Sequence, residues 1–176
     1  MIDAPRHLAV ALPDPESVTA SLDRGPRRAA DLELVLRAWP GLRVGLEQLD
    51  GPGYLIILGE DRGEILVRAQ DPLPRRRYTV AHELAHWYLA TEISHHSSPD
   101  LTCERNTTLE RWCEHFAAAL LLPRQMLAAD AAQIDGGNLS RAVPGLARAY
   151  RVSRQALRIR LNEVLGGLPD RFGRFV

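Results

Sequence analysis

Residues 82–86 read His-Glu-Leu-Ala-His, and this spacing constrains the chain more than any other feature. On a helix, positions i and i+4 lie one above the other on the same face. His82 and His86 can then each turn one imidazole nitrogen toward a single metal ion. Glu83, one residue round the helix, can reach a water on that ion without ligating it. A divalent metal lowers the pKa of such a water to roughly 7, where a neighbouring carboxylate can take the proton. The five residues therefore hold two candidate ligands and a candidate general base in one turn.

The flanks fit a packed helix. Val80, Ala81, Leu84, Ala85, Trp87, Tyr88 and Leu89 supply the apolar back that would hold the ligands still. Thr79 is the expected N-cap, with Pro72 and Pro74 keeping the preceding stretch out of the helix. Polarity rises at Thr91-Glu92, and residues 94–99 read as loop.

At 176 residues, 45% of them hydrophobic, the chain is expected to form one domain, or one domain with a small appendage. Its formal net charge of zero gives no global pull toward nucleic acid or an anionic membrane. All 22 basic residues are Arg, a bias that genome composition explains without a functional cause. The N-terminus shows no basic region followed by an apolar core. The longest apolar run, Phe116 to Leu122, is far short of the ~20 residues a membrane helix needs. Cys103 and Cys113 make no disulfide framework, so the expected compartment is the cytoplasm, with both thiols reduced.

Along the chain, residues 1–28 are punctuated by Pro and Arg and show no clear pattern. Leu32, Val35, Leu36 and Trp39 mark one helix face, stopped by Pro40-Gly41. Strands are expected around Leu42–Leu46, Tyr54–Leu58 and Ile65–Val67, forming a small antiparallel meander ahead of the metal helix. A second long helix is expected over Thr108–Leu122, and Pro123 can open a third. Gly136-Gly137 is a break, and Leu139 to Leu165 reads as helical, with a turn near Arg151 and Ser153 capping the last helix.

A catalytic zinc takes three protein ligands and a water. Glu92, His95, His96 and Cys113 are candidates for the third position, but the best is Glu110. Glu110 and Glu114 share a face of a largely apolar helix, where buried carboxylates need partners. Glu114 is then either an alternative ligand or the group that holds a ligand histidine through its other ring N–H.

Arg77 to His86 (RYTVAHELAH) resembles the R-[FY]-[ST]-L-A-H-E-L-G-H signature of the ImmA/IrrE family of zinc metallo-endopeptidases. Glu110 to Pro123 (ERWCEHFAAALLLP) resembles that family's second block, E-x-x-[AC]-N-x-F-A-x-x-L-L-M-P. The likeness is strong over about residues 65–127. It differs at Ala85 for Gly, Leu122 for Met and Glu114 for Asn, the last adding a charge beside the metal. The resemblance implies an α+β, zincin-like core with a small antiparallel sheet, zinc held by His82, His86 and Glu110, and Glu83 as general base. It also implies a protein substrate, a helix-turn-helix transcriptional repressor whose cleavage induces stress, DNA-damage or mobile-element genes.

Residues 146–161 resemble the helix-turn-helix-like tail, L-A-x-x-[FY]-x-V-S-x-x-A-L-x-x-R-L, often found in this family. The expected organisation is a metallopeptidase domain over 1–135 and a helical C-terminal segment over 136–176. Arg148, Arg151, Arg154, Arg158 and Arg160 leave DNA contact open. The favoured reading is packing on the core or contact with the protein substrate. The alternative function is a non-proteolytic zinc-binding regulatory module that contacts DNA or a partner through this tail. For the residue that stabilises the oxyanion, Tyr78, Tyr88, Tyr150, His95 and His115 are all open.

Overall fold

The computed structural model describes residues 12–93, 107–134 and 138–166. The chain opens with two short capped helices. In α1 (Pro15–Ala20), Asp14 accepts from the Ser17 N–H and Pro15 occupies the first turn. In α2 (Leu32–Leu36), Asp31 accepts from the Glu33 and Leu34 N–H groups. The sequence pattern showed no element before residue 29, yet the Asp14-Pro15 cap was there to read.

Three strands follow: β1 (Leu42–Glu47), β2 (Gly53–Gly59) and β3 (Arg62–Arg68). The sheet order is β1-β3-β2. β2 and β3 form the antiparallel hairpin, but β1 pairs parallel with β3, so the expected antiparallel meander is corrected to a mixed sheet. The reason lies in β3, where Ile65 and Val67 are fully buried and alternate with half-buried neighbours. A strand with that alternation takes the centre, and the more exposed β1 and β2 become the two edges.

One face of the sheet packs on α3 (Leu73–Tyr88), the helix that carries the His-Glu-Leu-Ala-His motif. α3 begins well before the expected Thr79 cap. Pro72 is its N-cap and Pro74 lies in its first turn, where a missing N–H costs nothing and the fixed φ already suits a helix. Thr79 instead lies inside α3 and donates back to the Arg75 carbonyl at 3.2 Å. The helix lies very close to the sheet at Gly63, where a Cβ would meet the Trp87 ring at 2.5 Å. One π-helical turn, Leu89–Ile93, ends this segment. The loop expected over 94–99 lies outside the described residues.

α4 (Thr107–Leu121) packs along α3, burying Leu109, Trp112, Cys113, Phe116, Ala117 and Leu120. Tyr88 of α3 stacks on Trp112 with ring centroids 5.8 Å apart. The remaining helices are α5 (Arg124–Ala132), α6 (Leu139–Tyr150) and α7 (Arg154–Val164). The expected turn between the last two is present: Arg151 adopts a left-handed φ of 54°, and Ser153 caps α7 by accepting from the Ala156 N–H. Val143, Leu157 and Leu161 belong to the same hydrophobic cluster as Leu84, Phe116 and Leu120.

Two polar clusters fasten the periphery to this core. Asp130 of α5 receives two bonds of 2.7 Å from Arg28 and one of 2.7 Å from the buried Tyr150 hydroxyl. Buried Arg160 of α7 donates to the Leu122 carbonyl at 3.2 Å and pairs with Glu163 and with Glu16 of α1. Among the described residues no helix is long and apolar enough to cross a membrane.

Candidate metal centre and cleft

The packing of α3 against α4 brings three donors together. His82 and His86 face each other with Nε2 atoms 3.1 Å apart. Glu110, on the first turn of α4, places one carboxylate oxygen 3.3 Å from His82 Nε2 and the other 3.5 Å from His86 Nε2. One ligand atom from each of these residues lies within 4.8 Å of the other two. The set suits a divalent cation. Two imidazoles and one carboxylate are the donors a zinc-like ion takes, and the half-exposed Glu110 leaves one side open for a further ligand. Burial, and then the neighbouring His82, hold His86 below the usual histidine range against the pull of Glu110. That favours the neutral ring a metal requires.

The other candidates for the third position lie elsewhere. Glu92 accepts from the Trp39 indole N–H at 3.2 Å. His95 and His96 fall outside the described residues. Cys113 is fully buried in the core, as its place in the apolar stripe of α4 suggests, with its sulfur 3.4 Å from His86 Nδ1. Glu114 is on the exposed side of α4, on the wall of the adjoining cleft, and is not among the three converging donors. The side chain touching the far nitrogen of His86 is thus the residue before Glu114. His82 Nδ1 is buried with no hydrogen-bond partner among the described residues.

Glu83 lies beside this group on the same cleft wall as His82. Burial and then the charge of Glu110 push its carboxyl up to about 7, while a hydrogen bond from the Leu55 backbone N–H opposes them. A carboxyl in that range can accept and return a proton near neutrality. The Leu55 contact also puts Glu83 against β2, an edge strand of the sheet.

The cleft has a volume of about 910 Å³, within the usual range for ligand sites. α3, α4 and α7 all line it, together with Pro52, which immediately precedes β2. The structure also sorts the candidate oxyanion donors. Tyr88 packs among Trp39, Trp112 and Phe116, and Tyr150 is committed to Asp130. His95 falls outside the described residues. Tyr78 and His115 line the cleft. Tyr78 stacks on the His82 ring with centroids 6.3 Å apart, and burial, more than the nearby acidic groups, pushes its hydroxyl up to about 12, so it stays protonated. Its position four residues before His82 put it on the motif's face, a signal already present in the sequence. The contribution of α7 to the cleft had no such local signal.

No curated protein matches the chain. The family model Peptidase_M78, described as IrrE N-terminal-like domain, matches residues 41–162, a span that begins just before the sheet and ends within α7. That span covers well over half of the sequence and takes in all three converging donors, so the chain belongs to this metallopeptidase family.

Proposed function

We propose that the chain is a zinc-dependent endopeptidase that cuts a helix-turn-helix transcriptional repressor in the cytoplasm, releasing stress, DNA-damage or mobile-element genes. In this reading His82, His86 and Glu110 hold the zinc and Glu83 is the base. The observation that carries it is the meeting of two imidazoles and a carboxylate beside a buried Glu83 in an open cleft. A zinc ion bound there would supply Lewis acidity, polarising the scissile carbonyl and making water easier to deprotonate.

The chain's own groups do the rest. Glu83 takes a proton from the attacking water and returns it to the leaving nitrogen, two transfers that suit a carboxyl titrating near neutrality. Cys113 packs against the back of His86 and limits rotation of that ring. Glu83 accepts from the Leu55 N–H of edge strand β2, and in this reading an extended substrate segment adds to that strand near the base. α7 supports packing of the tail on the core and contact with the protein substrate over DNA reading. Its Leu157 and Leu161 are buried in the core, and Gln155, Ala156 and Ile159 line the cleft. The repressor as substrate rests on the family resemblance of the two sequence blocks.

The test is incubation of the purified chain, with one equivalent of zinc, with the repressor encoded nearest to it, followed by mass spectrometry of the fragments. One specific cut, absent with chelator, is expected. An intact repressor under conditions where the chain is folded and zinc-loaded would remove this substrate.

A further inference from the structure

Ile159 is 54% exposed on α7, a helix whose other exposed side chains include Arg154 and Gln155. Its neighbours Leu157 and Leu161 are fully buried, so the core already has its apolar contacts from this helix. Ile159 lines the same cleft as His82 and Glu83, as do Ala156, Tyr78 and Ala118 of α4; Leu121 and, just past α4, Leu122 border it but are almost fully buried. The wall is also held in place: buried Arg160, the next residue, ties α7 to the Leu122 carbonyl. An apolar wall built on fixed helices and continuous with the catalytic groups selects ligands by removing their apolar surface from water.

We propose that Ile159 is a specificity-determining residue, forming with Ala118 and Ala156 a subsite for a bulky apolar side chain of the peptide substrate, in the cleft where Glu83 deprotonates the attacking water. The inference rests on the peptidase reading for its occupant but not for its test. An extended peptide lying past Glu83 must place a flanking side chain along the cleft. The α7 wall takes no part in the proton transfers, so a change at Ile159 alters which peptide binds and leaves the metal donors untouched.

The experiment uses the full-length Glu83→Gln protein, zinc-loaded, so that bound peptides are not consumed. Two pools of fluorescent decapeptides are titrated by anisotropy. They are identical except that the central position is Leu, Ile, Met or Phe in one and Ser, Asn, Asp or Gly in the other. The apolar pool should bind about tenfold tighter. Ile159→Glu should abolish the difference and Ile159→Ala should reduce it, with zinc content unchanged in both. Equal binding of the pools, binding of neither, or a preference that survives Ile159→Glu overturns the proposal. Cleavage is scored separately with the wild type: a chain that shows the preference and its loss in Ile159→Glu but never cuts keeps the subsite and refutes the peptidase reading.

Discussion

Gly63 tests whether the close approach of α3 to the sheet holds the metal site in shape. A Cβ at this position would lie 2.5 and 2.9 Å from two carbons of the Trp87 ring. Trp87 is 1% exposed and directly follows His86, so its ring cannot swing into solvent and relieve the clash. No left-handed φ is involved at Gly63, and the cost of Gly63→Ala is therefore steric. Overpacking of this kind costs about 1–3 kcal/mol. For a chain of this size that corresponds to a fall in Tm of roughly 2–12 °C. The helix can yield only by moving away from the sheet, carrying His82 and His86 with it, so zinc affinity should fall as well. Circular dichroism melts and competition with a chromophoric chelator measure the two effects. Gly59→Ala on β2 is the control, because nothing lies within 4 Å of its added methyl. A Gly63→Ala protein within about 0.5 kcal/mol of wild type, or no different from Gly59→Ala, would mean that the Trp87 contact does not fix the helix on the sheet.

Other consequences follow from the polar contacts. Glu110→Ala should weaken zinc binding beyond the roughly 10–100-fold typical of losing a supporting contact, whereas Glu92→Ala, directed at Trp39, should barely change it; a larger loss at Glu114→Ala than at Glu110→Ala would exchange the roles of those two residues. The two Arg28 bonds hold the Asp130 carboxyl below the usual range, so its contribution to stability is full above the unfolded carboxylate range and is lost as pH falls through the lower folded value. Asp130→Asn should therefore be less stable than wild type at pH 7, and the gap should close in urea melts carried out at progressively more acid pH; a gap that widens in acid contradicts this. The Arg154→Ala/Arg158→Ala double variant should keep its zinc content, and the wild type should bind duplex DNA only weakly. A tight, sequence-specific complex with a salt slope that flattens by about two in the double variant would make the tail a DNA reader.

Most of the local signals were legible in the sequence, as was Glu110 as the third donor, whereas several helix starts and most long-range contacts were not. The histidine pair, the α4 stripe, the turn at Arg151 and the Ser153 cap each depend on residues within a few positions of one another. α3 starts well before Thr79 because prolines that break a helix interior are well suited to its first turn. The parallel pairing of β1 depends on which strand buries its side chains best, a property of the assembled sheet. The Cys113–His86 contact and the α7 wall of the cleft join residues 27 or more positions apart, and nothing in either segment alone announces them.

In the proposed mechanism Glu83 is a base that does not ligate the metal. Zinc content and repressor cleavage should be measured side by side for wild type, Glu83→Gln and His86→Ala. Glu83→Gln should retain near-normal zinc and lose cleavage by several orders of magnitude, and His86→Ala should lose both. A Glu83→Gln protein that still cuts at a rate comparable to wild type would contradict the mechanism.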